Sequence, residues 1–519
     1  MAACILAGAT VPSASAQVHY DPASGSPWNQ RADGGTDAQV PGWFYNLGVT
    51  GLRAELVANE PAALVVRYVF PGSIAAGQIE AGDVIVGAGG RPFQTPHRNG
   101  YGEQCFGGHG PILDFADALE ACQAKKADGK LKLNVRRGGK VKDFSLAVGK
   151  AYGSYAPTFP ATCPKSEKIL GELLALLATN QSPEGSFGHI LADMYAPLAL
   201  LASGEPRYMP AVKRVVEGIC ENARRNHSRD ALINWHYMSW AIIVGEYYLA
   251  TEDKQVLPTL QAIHDFIARS QYLDMSQINP KAKESHPDSF PKGPRDSHGG
   301  WGHNPGFEGY GPIAMITGQG ALAYAILHRC GIQVDRVKHD AAYDFLHRGT
   351  GPNGYVWYGD SIGGGPDGWA DMGRTGATAI ANMLAPYPEA VYRQRALGHA
   401  RVMGMHPESF PDTHAAPMMG MVYQSLGSNV DPASFRRVMD ANRWWFTMAQ
   451  CPDGTFYYQP NRDNTGYGGN NRVMASAVVA LIYAIPKRSL VITGKPLRDS
   501  KGSKKPAAQA APKSPAKTR

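Results

Sequence analysis

From Cys163 onward the apolar positions of this chain recur with a period near 3.6, and the runs they define are of two alternating kinds. One kind is amphipathic and charged: 166–179, 208–225, 255–270, 334–348, 389–403 and 432–449. The other is apolar nearly all round or rich in small residues: 190–202, 235–250, 313–329, 373–384, 415–426 and 472–485. An amphipathic helix keeps one face in water, whereas an all-round apolar helix must be buried. Strict alternation therefore predicts two concentric rings, an (α/α)6 toroid over residues 151–486. A helical solenoid alternates too, but with tighter and more regular repeats; the insert at 275–298 favours the closed ring.

Ahead of that point the period is two. The runs 63–70, 79–86, 131–136 and 142–148 read as strands separated by Gly and Pro turns. A helix over 114–126 places Phe115, Leu119 and Cys122 on one face. The fold class is thus a β-rich module (residues 41–150) followed by an all-α toroid.

The stretch VFPGSIAAGQIEAGDVIVGAGGRPF, Val69 to Phe93, resembles the signature of PDZ domains, with Ile79 in place of a Leu and Gly89 in place of an Asn or Asp. That resemblance implies a carboxylate-binding turn, for which Leu47-Gly48-Val49 is the best match. A bound peptide C-terminus would then add a strand beside the turn and pack on Phe115 and Leu119. The competing reading is that the module only braces the toroid or shapes its mouth. The insertion at 95–111, heavy in Gly, His and Pro, would lie over the groove.

Charge changes the picture only at the C-terminus. Of the net +7, residues 487–519 carry ten Lys/Arg against one acid, a net +9, which leaves −2 for the rest. This body is no nucleic-acid binder, and the segment 487–519 reads as a basic disordered tail. At the other end, 1–16 reads as a signal peptide closing on Ala14-Ser15-Ala16, without the usual basic start, followed by a linker over 17–40. A secreted or periplasmic protein with no transmembrane segment follows. Six cysteines remain beyond Cys4, an even number that suits an oxidising compartment, and Cys105 with Cys122 is the favoured pair because both fall in the first module.

Gly-aromatic turns precede several of the apolar helices, as in Gly299-Gly-Trp301 and Asp367-Gly-Trp369. They resemble the turn motifs of terpenoid-cyclase and prenyltransferase toroids, where Gly permits the turn and the aromatic plugs the gap between helix ends. With Asn46-Leu-Gly-Val-Thr-Gly51 and the run Thr162 to Leu170, the module order resembles exported bacterial PDZ-plus-toroid proteins of unknown function. That resemblance implies architecture but no activity, catalytic residue or cofactor.

The N-terminal ends of the apolar helices should rim one mouth of the toroid, and polar residues concentrate there. Asp193, His236, Asp371, Arg374 and Asp412 are the candidate catalytic groups. His189, Trp235, Tyr237, Trp301, Trp369, His414, Asn471 and Arg472 are the candidate substrate contacts. Aromatic faces stack on sugar rings, and paired carboxylates supply acid and base. Asn234-Trp-His-Tyr237 loosely resembles the Asn/His/Tyr sets of toroidal polysaccharide lyases, but four consecutive helical residues cannot face one point. No D-x-D-D acid motif or zinc trio is visible. His298 and His303 with Asp412 or His414 would make a metal set, but Gly299-Gly300 between the histidines argues against it, and no metal or cofactor is assigned. Two functions remain: a scaffold binding peptide, protein or glycan partners through a polar central cavity, or a carbohydrate-active enzyme, glycoside hydrolase or polysaccharide lyase.

Overall fold

The computed structural model describes residues 45–56, 59–97, 108–225, 227, 232–363, 371–387, 389–411, 413, 417–457, 459 and 472–496. The expected signal peptide, linker, Cys105 and the tail beyond 496 lie outside these residues.

The first region is an antiparallel sheet in the order β1-β2-β3-β4-β6-β7, with β5 paired to β4. Its strands are β1 (Tyr45–Asn46), β2 (Leu52–Glu55), β3 (Leu64–Val69), β4 (Val84–Ala88), β5 (Arg91–Pro92), β6 (Leu131–Arg137) and β7 (Lys140–Leu146). Helix α1 (Pro111–Gln123) lies across β4 and β6. The β6–β7 hairpin turns through Gly138 and Gly139, both at positive φ, as a two-residue primed turn requires. The strand expected over 79–86 begins only at Val84. Gly82, at φ 93°, turns the chain there, and the Asp83 carboxylate accepts from Arg137 and from the Glu80 N–H.

The second region is helical: α2 (Pro164–Asn180), α3 (Ile190–Ala202), α4 (Met209–Asn222), α5 (Ile233–Thr251), α6 (Leu257–Ser270), α7 (Ala282–Ser285), α8 (Ala314–Arg329), α9 (Arg336–Arg348), α10 (Met372–Met383), α11 (Ala390–Met405), α12 (Pro417–Ser428), α13 (Pro432–Ala441), α14 (Arg443–Ala449) and α15 (Arg472–Ala484). Helices α3, α5, α8, α10, α12 and α15 each pack on the next, and α15 returns to α3, so the ring closes. Around it, α2, α4, α6, α9, α11 and α13 lie against the outside. The rings expected from the alternation are therefore present, with one difference. The run 432–449 breaks at Asn442, whose side-chain amide donates to the Val438 and Pro407 carbonyls, and α14 turns away toward the sheet region. Inner helices approach closely where glycines face each other: a Cβ on Gly376 would lie 2.1 Å from the Tyr423 carbonyl oxygen.

Two further expectations are corrected. Because the inner helices are mostly apolar all round, the axis they enclose is mainly apolar too. Tyr195, Leu198, Ile242, Leu322, Val422 and Leu481 fill most of it, with Ser239 and Gln319 among them, leaving about 10 Å³. The polar cavity expected at the centre is confined to one mouth. The helical domain also runs past 486: Leu490, Val491 and Ile492 are buried, and Ile492 reaches the filled axis. Only from 497 does the basic segment leave the described residues.

Cys122, Cys163, Cys220, Cys330 and Cys451 are free thiols, so no disulfide joins any two of them, and Cys122 spends its thiol on the Leu119 carbonyl. The cysteine count therefore no longer speaks for an oxidising compartment. Among the described residues no helix is long and apolar enough to cross a membrane.

Candidate functional site

Two adjoining cavities open at the N-terminal ends of the inner helices, and Ile190 and Met194 on α3 line both. The larger, about 570 Å³, is polar. Glu184, Ser186, His189, Asp193, Asn222, His227, His236 and Trp240 line it. His236, Ser239 and Trp240 reach it together because positions i, i+3 and i+4 share a helix face. His189 caps α3 through its ring: Nδ1 accepts the Leu191 N–H at 3.1 Å, which leaves the proton on Nε2. Burial pushes the His189 pKa down, consistent with that neutral tautomer.

Asp193 stands one turn into α3. Its carboxylate accepts the Phe187 N–H at 2.5 Å and the Ser186 hydroxyl at 3.0 Å. Burial raises its pKa, and those two bonds oppose the rise without cancelling it. It therefore both fastens the turn over 184–188 and presents a carboxyl with an elevated pKa to the cavity.

The smaller cavity, about 250 Å³, is mainly apolar. Ile190, Leu191, Met194, Leu232, Ile313, Met315 and Met419 form most of its wall, with Trp235, His303, Tyr310, Tyr358, Asp371, Arg374 and Thr413 at its edges. A hydrogen-bonded chain runs along one side. The Trp235 indole N–H, a donor only, gives to His303 Nδ1 at 2.8 Å. His303 must then donate from Nε2, which meets the Tyr310 hydroxyl, and Tyr310 bonds to Tyr358. Burial lowers the His303 pKa and raises that of Tyr358, where the bond to Tyr310 adds to the rise, so both are neutral. With both ring nitrogens engaged, His303 is no metal ligand. Among the described residues no group of three or more His, Cys, Asp or Glu is arranged to hold a metal ion.

On the other side Asp371, in the left-handed region at φ 55°, pairs with Arg374 at 3.1 Å. Arg374 is buried and also donates to the Val356 carbonyl and the Tyr355 hydroxyl at 2.6 and 2.7 Å. The Thr413 hydroxyl is buried with no hydrogen-bond partner among the described residues.

Of the candidate residues, the structure thus brings His189, Asp193 and His236 to one cavity and Trp235, Asp371 and Arg374 to the other. Three are corrected. Tyr237 is buried, stacked on Phe266 with ring centroids 3.7 Å apart, and lines neither cavity. Trp301 is buried in the ring wall, where its indole N–H donates to the Ile267 carbonyl at 2.9 Å. Arg472 donates to Asp453 and to the Thr455 hydroxyl and lines neither cavity. Asp412, Trp369, His414 and Asn471 lie outside the described residues. Tyr310 and Tyr358 escaped sequence reasoning because both sit in irregular turns ahead of inner helices, where no periodicity assigns a direction. Trp240 was within reach, one turn beyond His236 on the same face.

The peptide groove expected in the first region is filled. Leu47, Phe115 and Leu119 are fully buried, Val49 partly so. Helix α14 packs on α1, on β1 and on the turn at 48–50. A Cβ on Gly48, already at φ 66°, would meet Leu119 at 2.5 Å and the Thr447 carbonyl oxygen at 2.8 Å. The backbone of Asn46 on edge strand β1 exchanges two hydrogen bonds with the Gln459 side-chain amide, at 3.2 and 3.1 Å, as an added strand would. The Asn46 amide in turn donates to the Met448 and Gln450 carbonyls.

A family model described as a domain of unknown function, DUF6288, matches residues 166–494, more than half of the chain. The chain belongs to the DUF6288 family. No curated protein matches it. Among solved structures, this DUF6288 protein is similar to an inactive variant of the alpha-1,6-mannanase GH76A of Salegentibacter sp. in complex with alpha-1,6-mannotriose, at 13% identity and a TM-score of 0.43, over 62% of this chain and 99% of that one. It is also similar to a variant of a type II terpene cyclase from Scytonema, at 15% identity and a TM-score of 0.38, over 62% of this chain and 97% of that one.

Proposed function

We propose that this DUF6288 protein is a binding protein whose toroid mouth holds a glycan, with the first region, a PDZ-like module, serving as a brace and not as a peptide receptor. The observation that supports glycan binding most is the polar cavity, where the Trp240 ring stands among His189, His236, Asp193, Ser186 and Asn222. A broad ring face with several hydrogen-bonding groups around it suits a polyhydroxylated ring. Binding without cleavage is supported by the use already made of the two carboxylates. Asp193 fastens its own turn, Asp371 is paired with Arg374, and the two line different cavities. The brace reading is supported by α14 and Gln459, which stand where a peptide would lie. An extracytoplasmic location is part of the proposal and rests on Ala14-Ser15-Ala16 alone.

A panel of immobilised oligosaccharides and polysaccharides tests it. The full chain should retain one structural class, and Trp240→Ala should weaken retention about tenfold, the worth of one aromatic contact of about 1.4 kcal/mol. Retention that Trp240→Ala leaves unchanged would place binding elsewhere. One observation favours a second reading, glycoside hydrolysis: the elevated pKa of Asp193 beside His236 is what a general acid needs.

A further inference from the structure

The smaller cavity is not needed by a ligand that is polar throughout. It lies against the polar cavity, shares Ile190 and Met194 with it, and presents three methionines, Met194, Met315 and Met419, to whatever enters. Flexible thioether side chains adapt to apolar groups of irregular shape. Its charge is already balanced, since Arg374 is neutralised by Asp371, so it offers little to a second ion.

We propose that the natural ligand is an amphiphilic glycoside, its sugar in the polar cavity and its apolar aglycone in the methionine-lined one, the two meeting at Ile190 and Met194. This rests on the glycan reading above, and the experiment separates the two. Calorimetric titration of the full chain uses methyl, butyl, hexyl and octyl pyranosides of glucose, galactose and mannose, each below its micelle concentration. For the sugar that binds, affinity should rise by up to about fourfold per methylene until the cavity is full, then level off. Met315→Glu should abolish that rise while leaving the methyl glycoside's affinity in place. Met315→Leu, which keeps the wall apolar, should preserve the rise.

A methyl glycoside that binds with no gain from longer chains would overturn the aglycone site and leave the glycan reading standing. A gain that persists unchanged in Met315→Glu overturns it as well, since the tail then lies elsewhere. Binding of no pyranoside in the series overturns both.

Discussion

Glu120→Ala is expected to destabilise the protein by about 3–5 kcal/mol, the loss seen when one partner of a buried ion pair is removed. Glu120 lies on α1 at the seam between sheet and toroid. Its carboxylate takes the ammonium of Lys165 on α2, the Tyr155 N–H at 2.9 Å and the Thr447 hydroxyl of α14 at 3.0 Å. Lys165 is 1% exposed against 18% for Glu120, and the Tyr155 ring lies 4.2 Å from its nitrogen. Alanine would leave that ammonium buried with a ring and no counter-charge. Urea unfolding measures the loss. The double variant Glu120→Leu with Lys165→Met should recover most of it, because apolar replacement of a buried pair is often nearly neutral. A loss below about 1 kcal/mol in the single variant, the range of an exposed pair, would mean the seam is wet and the brace loose.

Glu246 governs the largest expected pH effect. It lies on inner helix α5, fully buried, and its two oxygens accept the Val491 and Ile492 N–H groups at 3.0 and 2.8 Å. Burial raises its pKa from 4.5 to about 7, while those two donors, Lys495 and Arg329 pull it the other way. The folded state thus holds a proton that the unfolded chain releases. The stabilisation is complete below pH 4.5 and is lost as pH rises through about 7. Each pKa unit is worth about 1.4 kcal/mol, so the whole swing is about 3 kcal/mol. Unfolding free energies from pH 4.5 to 8 should show it, and Glu246→Gln, which cannot ionise, should flatten that part of the profile. A profile unchanged by the substitution would mean that the carboxylate is not the anchor of the C-terminal turn.

How far the chain could be read follows from where periodicity carries information. The six buried helices were legible because none of them has a polar face, and the six outer ones because each does. The break at Asn442 was not, since Pro432 to Ala449 keeps an amphipathic pattern across it; only the packing of α14 on the sheet shows why the chain turns. The same packing fills the expected groove. Leu47, Phe115 and Leu119 carry the apolar pattern of a peptide site, but that pattern cannot say whether the occupant is a foreign chain or α14. Of the rim residues on helices, Asp193 and His236 line the polar cavity. Tyr237, their neighbour in sequence, turns to Phe266 because adjacent helical positions diverge by about 100°. Glu246 as an anchor was invisible, because its partners are backbone groups 245 and 246 residues away.

Product release from a bound polysaccharide separates binding from cleavage at the toroid mouth. The purified chain and its Asp193→Asn and Asp371→Asn variants are incubated with the glycan retained in the panel, and soluble fragments are separated by chromatography. A binding protein should retain the glycan and release no fragments in any of the three forms. Fragments released by the unaltered chain and lost in Asp193→Asn would instead make the mouth a hydrolytic site.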